Sequence, residues 1–154
     1  MTRFVEGGLD ATGLHVGIVV ANWNRAVTDQ LLDGALGRLA ELGADRVTVL
    51  RVPGALELPL GARGLVDAGC DTVVAIGTVI RGDTDHYEIV VRESTAGVAR
   101  VALDTGVPVA NAILAVNELA HAVDRAGEGP SNKGYEAAEA AILTAAALRN
   151  LGEG

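Results

Sequence analysis

The chain has 154 residues, of which 49% are hydrophobic, and a net charge of −8. Its length predicts a single domain, residues 1–154, and the acidic balance without any basic run argues against nucleic-acid binding. The single Cys70 excludes an internal disulfide, and a chain with no signal-like N-terminus and no uncharged apolar run of about 18 residues is expected to be cytoplasmic, without membrane contact.

Strands alternate with helices along the chain. The continuous apolar run 14–21 is typical of a strand buried on both faces. In chain order, the predicted elements are a strand at 14–21, a helix at 28–42, a strand at 47–52, a helix at 55–68, a strand at 72–80, a helix at 84–103, a strand at 107–115, a helix at 117–126 that Asn117 caps, and a helix that follows a cap at Ser131 or Asn132 and ends near 149. This order predicts an α/β fold with a parallel sheet and helices on both faces. Residues 1–13 have no clear pattern, although residues 3–5 could pair as a short strand with a free sheet edge.

Ligands of open parallel sheets bind beyond the carboxyl ends of the strands. Polar or special residues follow all four predicted strands, at 22–24, 53–57, 78–86 and 111–117. Trp23, the only tryptophan, could stack on a heterocycle or could cover the core at its rim. Glu57 could accept hydrogen bonds from a substrate, or its charge could simply favour the positive end of a helix.

The segment from Gly77 to His86 carries the strongest chemical signal. A glycine turn follows a strand, a cap residue comes next, and His86 falls in the first turn of the following helix. The free N–H groups of a helix start attract anions, and a histidine there tends to stay neutral near pH 7, so that it can move protons. The alternative is a surface histidine without a role. His15 and His121 are expected to be structural or solvated.

Arg81, Arg125 and Lys133 are the candidate anion binders. Arg125 lies in the last turn of a predicted helix, where a cation is favourable for electrostatic reasons alone. Lys133 lies at the start of the last helix, an unfavourable place for a cation, which favours a functional role. The chain contains no P-loop, no dinucleotide-binding fingerprint and no G-x-S-x-G elbow.

Three motifs, taken together, resemble those of one family. They are residues 52–59 (VPGALELP), residues 77–86 (GTVIRGDTDH), and residues 124–127 (DRAG) with 132–134 (NKG). Their order and spacing resemble those of the lumazine synthases, the riboflavin-pathway enzymes that make 6,7-dimethyl-8-ribityllumazine. The resemblance runs from about Leu9 to Leu148 and is greatest to actinobacterial members.

The resemblance implies a flavodoxin-like, three-layer αβα sandwich around a four-stranded parallel sheet. It implies that the N-terminal strand, within the arm 1–13, adds to the sheet of a neighbouring subunit. It also implies homopentamers, which in some members assemble further into decamers or into a 60-subunit shell, with active sites between adjacent subunits. No metal or organic cofactor is implied.

The implied reaction joins 5-amino-6-(D-ribitylamino)uracil to 3,4-dihydroxy-2-butanone 4-phosphate. By resemblance, His86 transfers protons and Trp23 stacks on the pyrimidine. The other residues implied to hold the pyrimidine and ribityl groups are Ala55, Leu56, Glu57, Thr78, Val79, Ile80 and Asn111, the last from the neighbouring subunit. The residues implied to bind phosphate are Asp83, Thr84 and Arg125, and Lys133 is a further candidate.

The chain departs from the family pattern in several places. Ala115 and Val116 stand where a Thr-Thr pair is usual, His121 replaces a Gln, and Gly129 replaces a commonly basic residue near the phosphate. These departures leave open an alternative function, a non-catalytic or substrate-shifted relative that binds flavin or lumazine or forms a structural shell. Gly129 and Pro130 would also alter the kink that shell contacts use, so the sequence does not decide between a pentamer and a larger shell.

Overall fold

Four parallel strands form the centre of the molecule. The computed structural model covers residues 1–154. The strands are β1 (His15–Ala21), β2 (Arg46–Val52), β3 (Thr72–Ile80) and β4 (Val109–Val116), and their order in the sheet is β2-β1-β3-β4. The predicted α/β fold with a four-stranded parallel sheet is therefore confirmed.

Helices cover both faces of this sheet. They are α1 (Arg25–Glu41), a 3₁₀ turn (Ala55–Glu57), α2 (Leu58–Asp67), α3 (His86–Thr105), α4 (Leu119–Arg125) and α5 (Lys133–Gly152). One apolar core joins α1, α4 and α5 to one face, and a second core joins α2 and α3 to the other. The molecule thus has three layers, and the sheet separates its two cores. No helix combines the length and the apolar character needed to cross a membrane.

The two central strands are buried on both faces, as the apolar runs predict. Every residue of β1 is buried, and β3 is buried from Thr72 to Thr78. Val20 of β1 lies opposite Arg51 of β2 on one side and Ile76 of β3 on the other. This register places the carboxyl ends of neighbouring strands side by side, where the candidate site lies.

Several predicted boundaries are wrong by up to one helical turn. Helix α1 begins at Arg25 instead of 28, α3 begins at His86 instead of 84, and α5 continues to Gly152. The predicted helix at 55–68 is divided, because Pro59 has no N–H to donate to the carbonyl of Ala55. That carbonyl instead accepts the N–H of Leu58, which closes a 3₁₀ turn.

The predicted cap at Asn117 is also wrong. Helix α4 begins at Leu119, its N-cap is Glu118, and no side chain caps it. The side-chain oxygen of Asn117 instead accepts a hydrogen bond from Arg81 Nε (3.0 Å). A short polar side chain that follows a strand can therefore bond to another loop instead of capping the next helix.

The N-terminal residues form no strand within one chain. Arg3 donates to the main-chain oxygen of Asn150 (3.1 Å), and the Asn150 amide donates to the main-chain oxygen of Glu6 (2.9 Å). The arm therefore lies along the end of α5, and Phe4 is 92% exposed. Residues 3–5 have no sheet edge beside them in this arrangement, so the short strand that the sequence suggested is not formed here.

Asn132 joins three parts of the fold. It is 2% exposed, and its side-chain oxygen accepts the N–H groups of Gly134 (2.8 Å) and Tyr135 (3.1 Å), which caps α5 as predicted. Its amide group donates to the main-chain oxygens of Gln30, Ala126 and Gly127, at 2.9–3.1 Å. One side chain thus ties α1, the end of α4 and the start of α5 together.

We expect Asn132→Ala to lower the free energy of unfolding by about 2–4 kcal/mol, because it removes a cap and leaves buried carbonyls without a partner. Urea denaturation would measure the change. Asn150→Ala is the matched control, since it removes one exposed amide-to-carbonyl bond and should cost less than about 1 kcal/mol. Equal effects of the two variants would contradict this account of Asn132.

Candidate active site

A cavity of about 340 Å³ opens at the carboxyl edge of the sheet. Four segments form it: the β1–α1 loop, the 3₁₀ turn, the end of β3 and the start of α3. The residues that line it are Ala21, Trp23, Asn24, Ala55, Leu56, Glu57, Thr78, Val79, Ile80, His86 and Val90. Eight of the residues named from the sequence thus share one cavity, although they come from four separate segments.

The β1–α1 loop presents Trp23 at the mouth of this cavity. The main-chain N–H groups of Asn22 and Trp23 both donate to the oxygen of Pro53, at 3.1 and 3.0 Å. The indole lies against Gly54, where an added Cβ would be only 2.4 Å from Trp23 Cε3. Trp23 is nevertheless 66% exposed, so most of the indole surface is free for a ligand.

The 3₁₀ turn brings Glu57 to the lining of the cavity. Its N–H donates to the oxygen of Gly54 (3.2 Å), and its side chain is half-buried beside the buried Ala55. The carboxylate has no ion-pair partner and accepts no hydrogen bond from another side chain. A half-buried carboxylate with free lone pairs can accept hydrogen bonds from the hydroxyl groups of a ligand.

The end of β3 forms the floor of the cavity. Beyond Ile76 this strand no longer pairs with β1, but it continues to pair with β4 as far as Ile80. Thr78 is buried, and its hydroxyl oxygen has no hydrogen-bond partner within the chain. The main-chain oxygen of Thr78 accepts the side-chain amide of Asn24 (2.8 Å).

His86 is the first residue of α3 and lines the cavity, as the glycine turn before it indicated. Its main-chain N–H donates to Thr84 Oγ1 (3.3 Å), whereas the N-cap residue Asp85 makes no side-chain cap bond. Val90, one helical turn further along α3, adds an apolar side chain to the cavity lining. His86 therefore combines an exposed imidazole with the N–H groups of a helix start.

Five of the residues named from the sequence do not line the cavity of one chain. Asp83 and Thr84 are exposed in the loop just before α3, and Asn111 is exposed on β4. Arg125 donates to the main-chain oxygen of His121 (2.9 Å) in its own helix. Lys133 forms an ion pair with Glu136 (2.9 Å).

Arg81 is occupied by other contacts, although the sequence made it a candidate anion binder. Its Nη1 forms an ion pair with Glu88, its Nε donates to Asn117, and its guanidinium lies 4.2 Å from the ring centroid of Tyr87. These contacts tie the β3–α3 loop to the first turn of α3 and to the β4–α4 loop. Hydrogen bonding to Arg81 is the main cause that lowers the pKa of Glu88 below its ordinary value of 4.5.

The remaining histidines and a second cavity lie apart from this site. His15 is buried, and its Nε2 is 2.8 Å from Thr48 Oγ1, which confirms a structural role. A cavity of about 480 Å³ between α1 and the turn before α5 is lined largely by glycines and by acidic side chains, and it includes Gly129. Gly129 has a φ of +88°, a left-handed backbone conformation that glycine adopts without strain.

Sequence reasoning missed three cavity residues. Val90 lies four residues after His86, and this helical spacing could have identified it. Asn24 directly follows Trp23, but its left-handed backbone, with a φ of 61°, was not predictable from the loop composition. Ala21, at the end of β1, carries no chemical signal. No group of three or more His, Cys, Asp or Glu side chains is arranged to hold a metal ion.

The fold and the cavity define an α/β protein with a small-molecule site at the carboxyl ends of its parallel strands. A sequence profile of the 6,7-dimethyl-8-ribityllumazine synthase family matches residues 13–149. The chain belongs to this family, and the resemblance stated from its motifs is confirmed.

Individual relatives agree with the profile. Proteins named 6,7-dimethyl-8-ribityllumazine synthase from Streptomyces avermitilis and Streptomyces coelicolor are 48% and 47% identical over 142 residues, which cover 91% of this chain and 88% of each relative. The protein of the same name from Thermococcus gammatolerans is 43% identical over 152 residues, which cover 98% of both chains. The two Streptomyces proteins confirm the likeness to actinobacterial members.

The pair of Arg81 and Glu88 gives a prediction about pH. Because the pKa of Glu88 is lowered in the folded chain, the pair stabilises the fold above pH 4.5 and is lost as the pH falls through the lower folded value. We expect Arg81→Met to raise the pKa of Glu88 towards 4.5, as measured by NMR titration of its carboxyl carbon. Arg100→Met, which removes the partner of Asp104 more than three helical turns away, is the control and should leave Glu88 unchanged. An unchanged Glu88 titration in Arg81→Met would show that the two groups do not interact in solution.

Proposed function

We propose that this chain condenses 5-amino-6-(D-ribitylamino)uracil with 3,4-dihydroxy-2-butanone 4-phosphate, and that the cavity at the carboxyl edge of the sheet is where it does so. The products are 6,7-dimethyl-8-ribityllumazine, phosphate and water. Family membership supports the reaction. The observation that carries the site is that an exposed indole, a half-buried carboxylate and a histidine at a helix start meet in one cavity.

The pyrimidine and its ribityl chain are assigned to the part of the cavity between Trp23 and the 3₁₀ turn. The exposed indole offers a flat apolar surface on which a uracil ring can stack. Glu57 accepts hydrogen bonds from ribityl hydroxyl groups, because its carboxylate has free lone pairs at the lining. The main chain of Ala55, Leu56 and residues 78–80 holds the remaining polar atoms of the ring.

His86 is assigned to proton transfer. The 5-amino group forms an imine with the ketone, phosphate then leaves, and the second amine closes the ring. Each of these steps moves protons near neutral pH, which an imidazole within reach of both substrates can do. Much of the remaining acceleration comes from holding two substrates together, which replaces a bimolecular encounter.

The phosphate is assigned to the start of α3. Asp83 and Thr84 lie just before Asp85, the N-cap of this helix, where main-chain N–H groups and the helix dipole favour an anion. Arg125 would add the positive charge that an anion needs on a chain of net charge −8, and Lys133 is a further candidate. Because Arg125, Lys133 and Asn111 do not line the cavity of one chain, we assign their contributions to an adjacent subunit.

A site shared between subunits requires self-association, and the surface of one chain supports it. The outer edge of β2 is unpaired, since this strand ends the sheet. Large apolar side chains are also exposed on the helices, including Leu60 of α2 (78%) and Leu103 of α3 (86%). We propose that the arm 1–13 pairs with the β2 edge of a neighbour and that the subunits form a pentamer, alone or within a decamer or a 60-subunit shell.

The direct test is to mix the purified protein with both substrates and to follow the absorbance of lumazine. The proposal expects product well above the spontaneous rate. Tight binding of lumazine or flavin without turnover would instead favour the non-catalytic alternative, which the changes at Ala115, Val116 and Gly129 suggest. Light scattering on the same sample would give the mass of the assembly.

We expect His86→Ala to lower kcat by roughly 10²-fold, because it removes proton transfer but keeps both substrates in place. Steady-state kinetics would measure this change, with the KM of either substrate altered by less than about threefold. The control is His121→Ala, an exposed histidine of α4 outside the cavity. If kcat stayed unchanged in His86→Ala, this histidine would not be the proton-transfer group.

We expect Arg125→Ala to raise the KM for the butanone phosphate roughly 10-fold, because one charge-assisted hydrogen bond to the phosphate is lost. The KM for the ribitylaminouracil should change little. Arg149→Ala removes an exposed arginine at the end of α5 and serves as the control for net charge. An equal rise in both KM values would contradict a specific phosphate contact.

A further inference from the structure

We propose that Asn24 is a positioning residue that holds the indole of Trp23 in place for the pyrimidine. This inference rests on the proposed function, in which the indole carries the ring. Asn24 lies between the exposed indole and α1, and its side chain also reaches the cavity lining. Nothing in the sequence distinguished it from a loop residue.

The backbone of Asn24 is the first observation. It is the only residue other than glycine with a positive φ, at φ 61° and ψ 43°. This left-handed conformation is costly for most side chains, and asparagine and aspartate are the ones that tolerate it. The left-handed turn redirects the chain directly after Trp23, between the end of β1 and the start of α1.

The side chain of Asn24 is the second observation. As the N-cap residue of α1 it is in position to accept an N–H of the first turn, but it makes no cap bond. Its amide instead donates to the main-chain oxygen of Thr78 (2.8 Å), across the cavity edge on β3. An asparagine that leaves its helix uncapped in favour of a contact with a neighbouring strand breaks a local rule, as residues at functional sites do.

The surroundings of Trp23 show why such a contact matters. The indole makes no hydrogen bond of its own, so its position depends on the main chain and on its contact with Gly54. The oxygen of Pro53 holds the main chain on the β2 side of the loop (3.0 Å to the Trp23 N–H). The bond from Asn24 to Thr78 holds it on the β3 side. Trp23 therefore lies between two anchors, and removing the second leaves the loop attached on one side only.

The test uses three substitutions that separate the side-chain bond from the backbone conformation. Asn24→Gly and Asn24→Asp both tolerate the left-handed turn, but neither can donate to Thr78. Asn24→Ala loses both features. Because Trp23 is the only tryptophan, the fluorescence anisotropy decay of the full-length protein reports the motion of this indole directly.

We expect all three variants to show faster local motion of Trp23 and a KM for the ribitylaminouracil about fivefold higher, as the loss of one hydrogen bond implies. The KM for the butanone phosphate should stay within twofold of the original value. Unchanged anisotropy and KM in Asn24→Gly and Asn24→Asp, with a defect in Asn24→Ala alone, would overturn the proposal, because only the backbone conformation would then matter. Unchanged behaviour in all three would overturn it as well.

Two further measurements separate this proposal from other failures. Thermal unfolding of each variant shows whether it folds, and Asn24→Asp is expected to fold well because aspartate is a favoured N-cap. If the original protein made no lumazine, the proposed function would fail, but the anisotropy would still decide whether Asn24 restrains the indole. Faster motion of the indole in the Asn24 variants, with an unchanged KM for the ribitylaminouracil, would refute the positioning role.

Discussion

The pairing of β1 with β3 is the constraint on which the rest of the structure depends. Both strands are buried on both faces, so neither can slip in register without moving apolar side chains out of two cores at once. Their register brings the end of β1 beside Ile76, and β3 then continues beyond β1, paired only with β4, to form part of the cavity lining. The loop that carries Trp23 and the helix start that carries His86 face each other because these two strands are neighbours.

The apolar runs and the glycines between them were sufficient to predict the strands and helices, but not the order of the strands in the sheet. The strands, their parallel direction and the position of His86 in the first turn of α3 follow from burial and from turn chemistry. The division of the second helix follows from the missing N–H of Pro59, whereas the contact of Asn117 with Arg81 depends on which polar group its side chain meets in the folded chain. Loop composition does not specify such partners, and for the same reason it did not distinguish Asn24 from Asn22.

Charge shows a similar limit. The sequence offered Arg81, Arg125 and Lys133 as candidate anion binders, but the chain pairs Arg81 with Glu88 and Lys133 with Glu136. The cavity of one chain is lined by a helix start, an imidazole, an indole and the carboxylate of Glu57, on a protein whose net charge is −8. In the proposed function a neighbouring subunit completes the site for an anionic substrate, and catalysis would then depend on assembly. The free edge of β2 and the exposed Phe4 of the N-terminal arm are consistent with that coupling.

The central claim is that one cavity, between Trp23, Glu57 and His86, holds the ring system. A crystal structure of the protein grown with 6,7-dimethyl-8-ribityllumazine tests it most directly. We predict that the ring stacks on the indole of Trp23, that the ribityl hydroxyls reach Glu57, and that His86 lies beside the newly closed ring. A ring bound instead in the acidic cavity between α1 and the turn before α5, with the Trp23 site empty, would contradict the account.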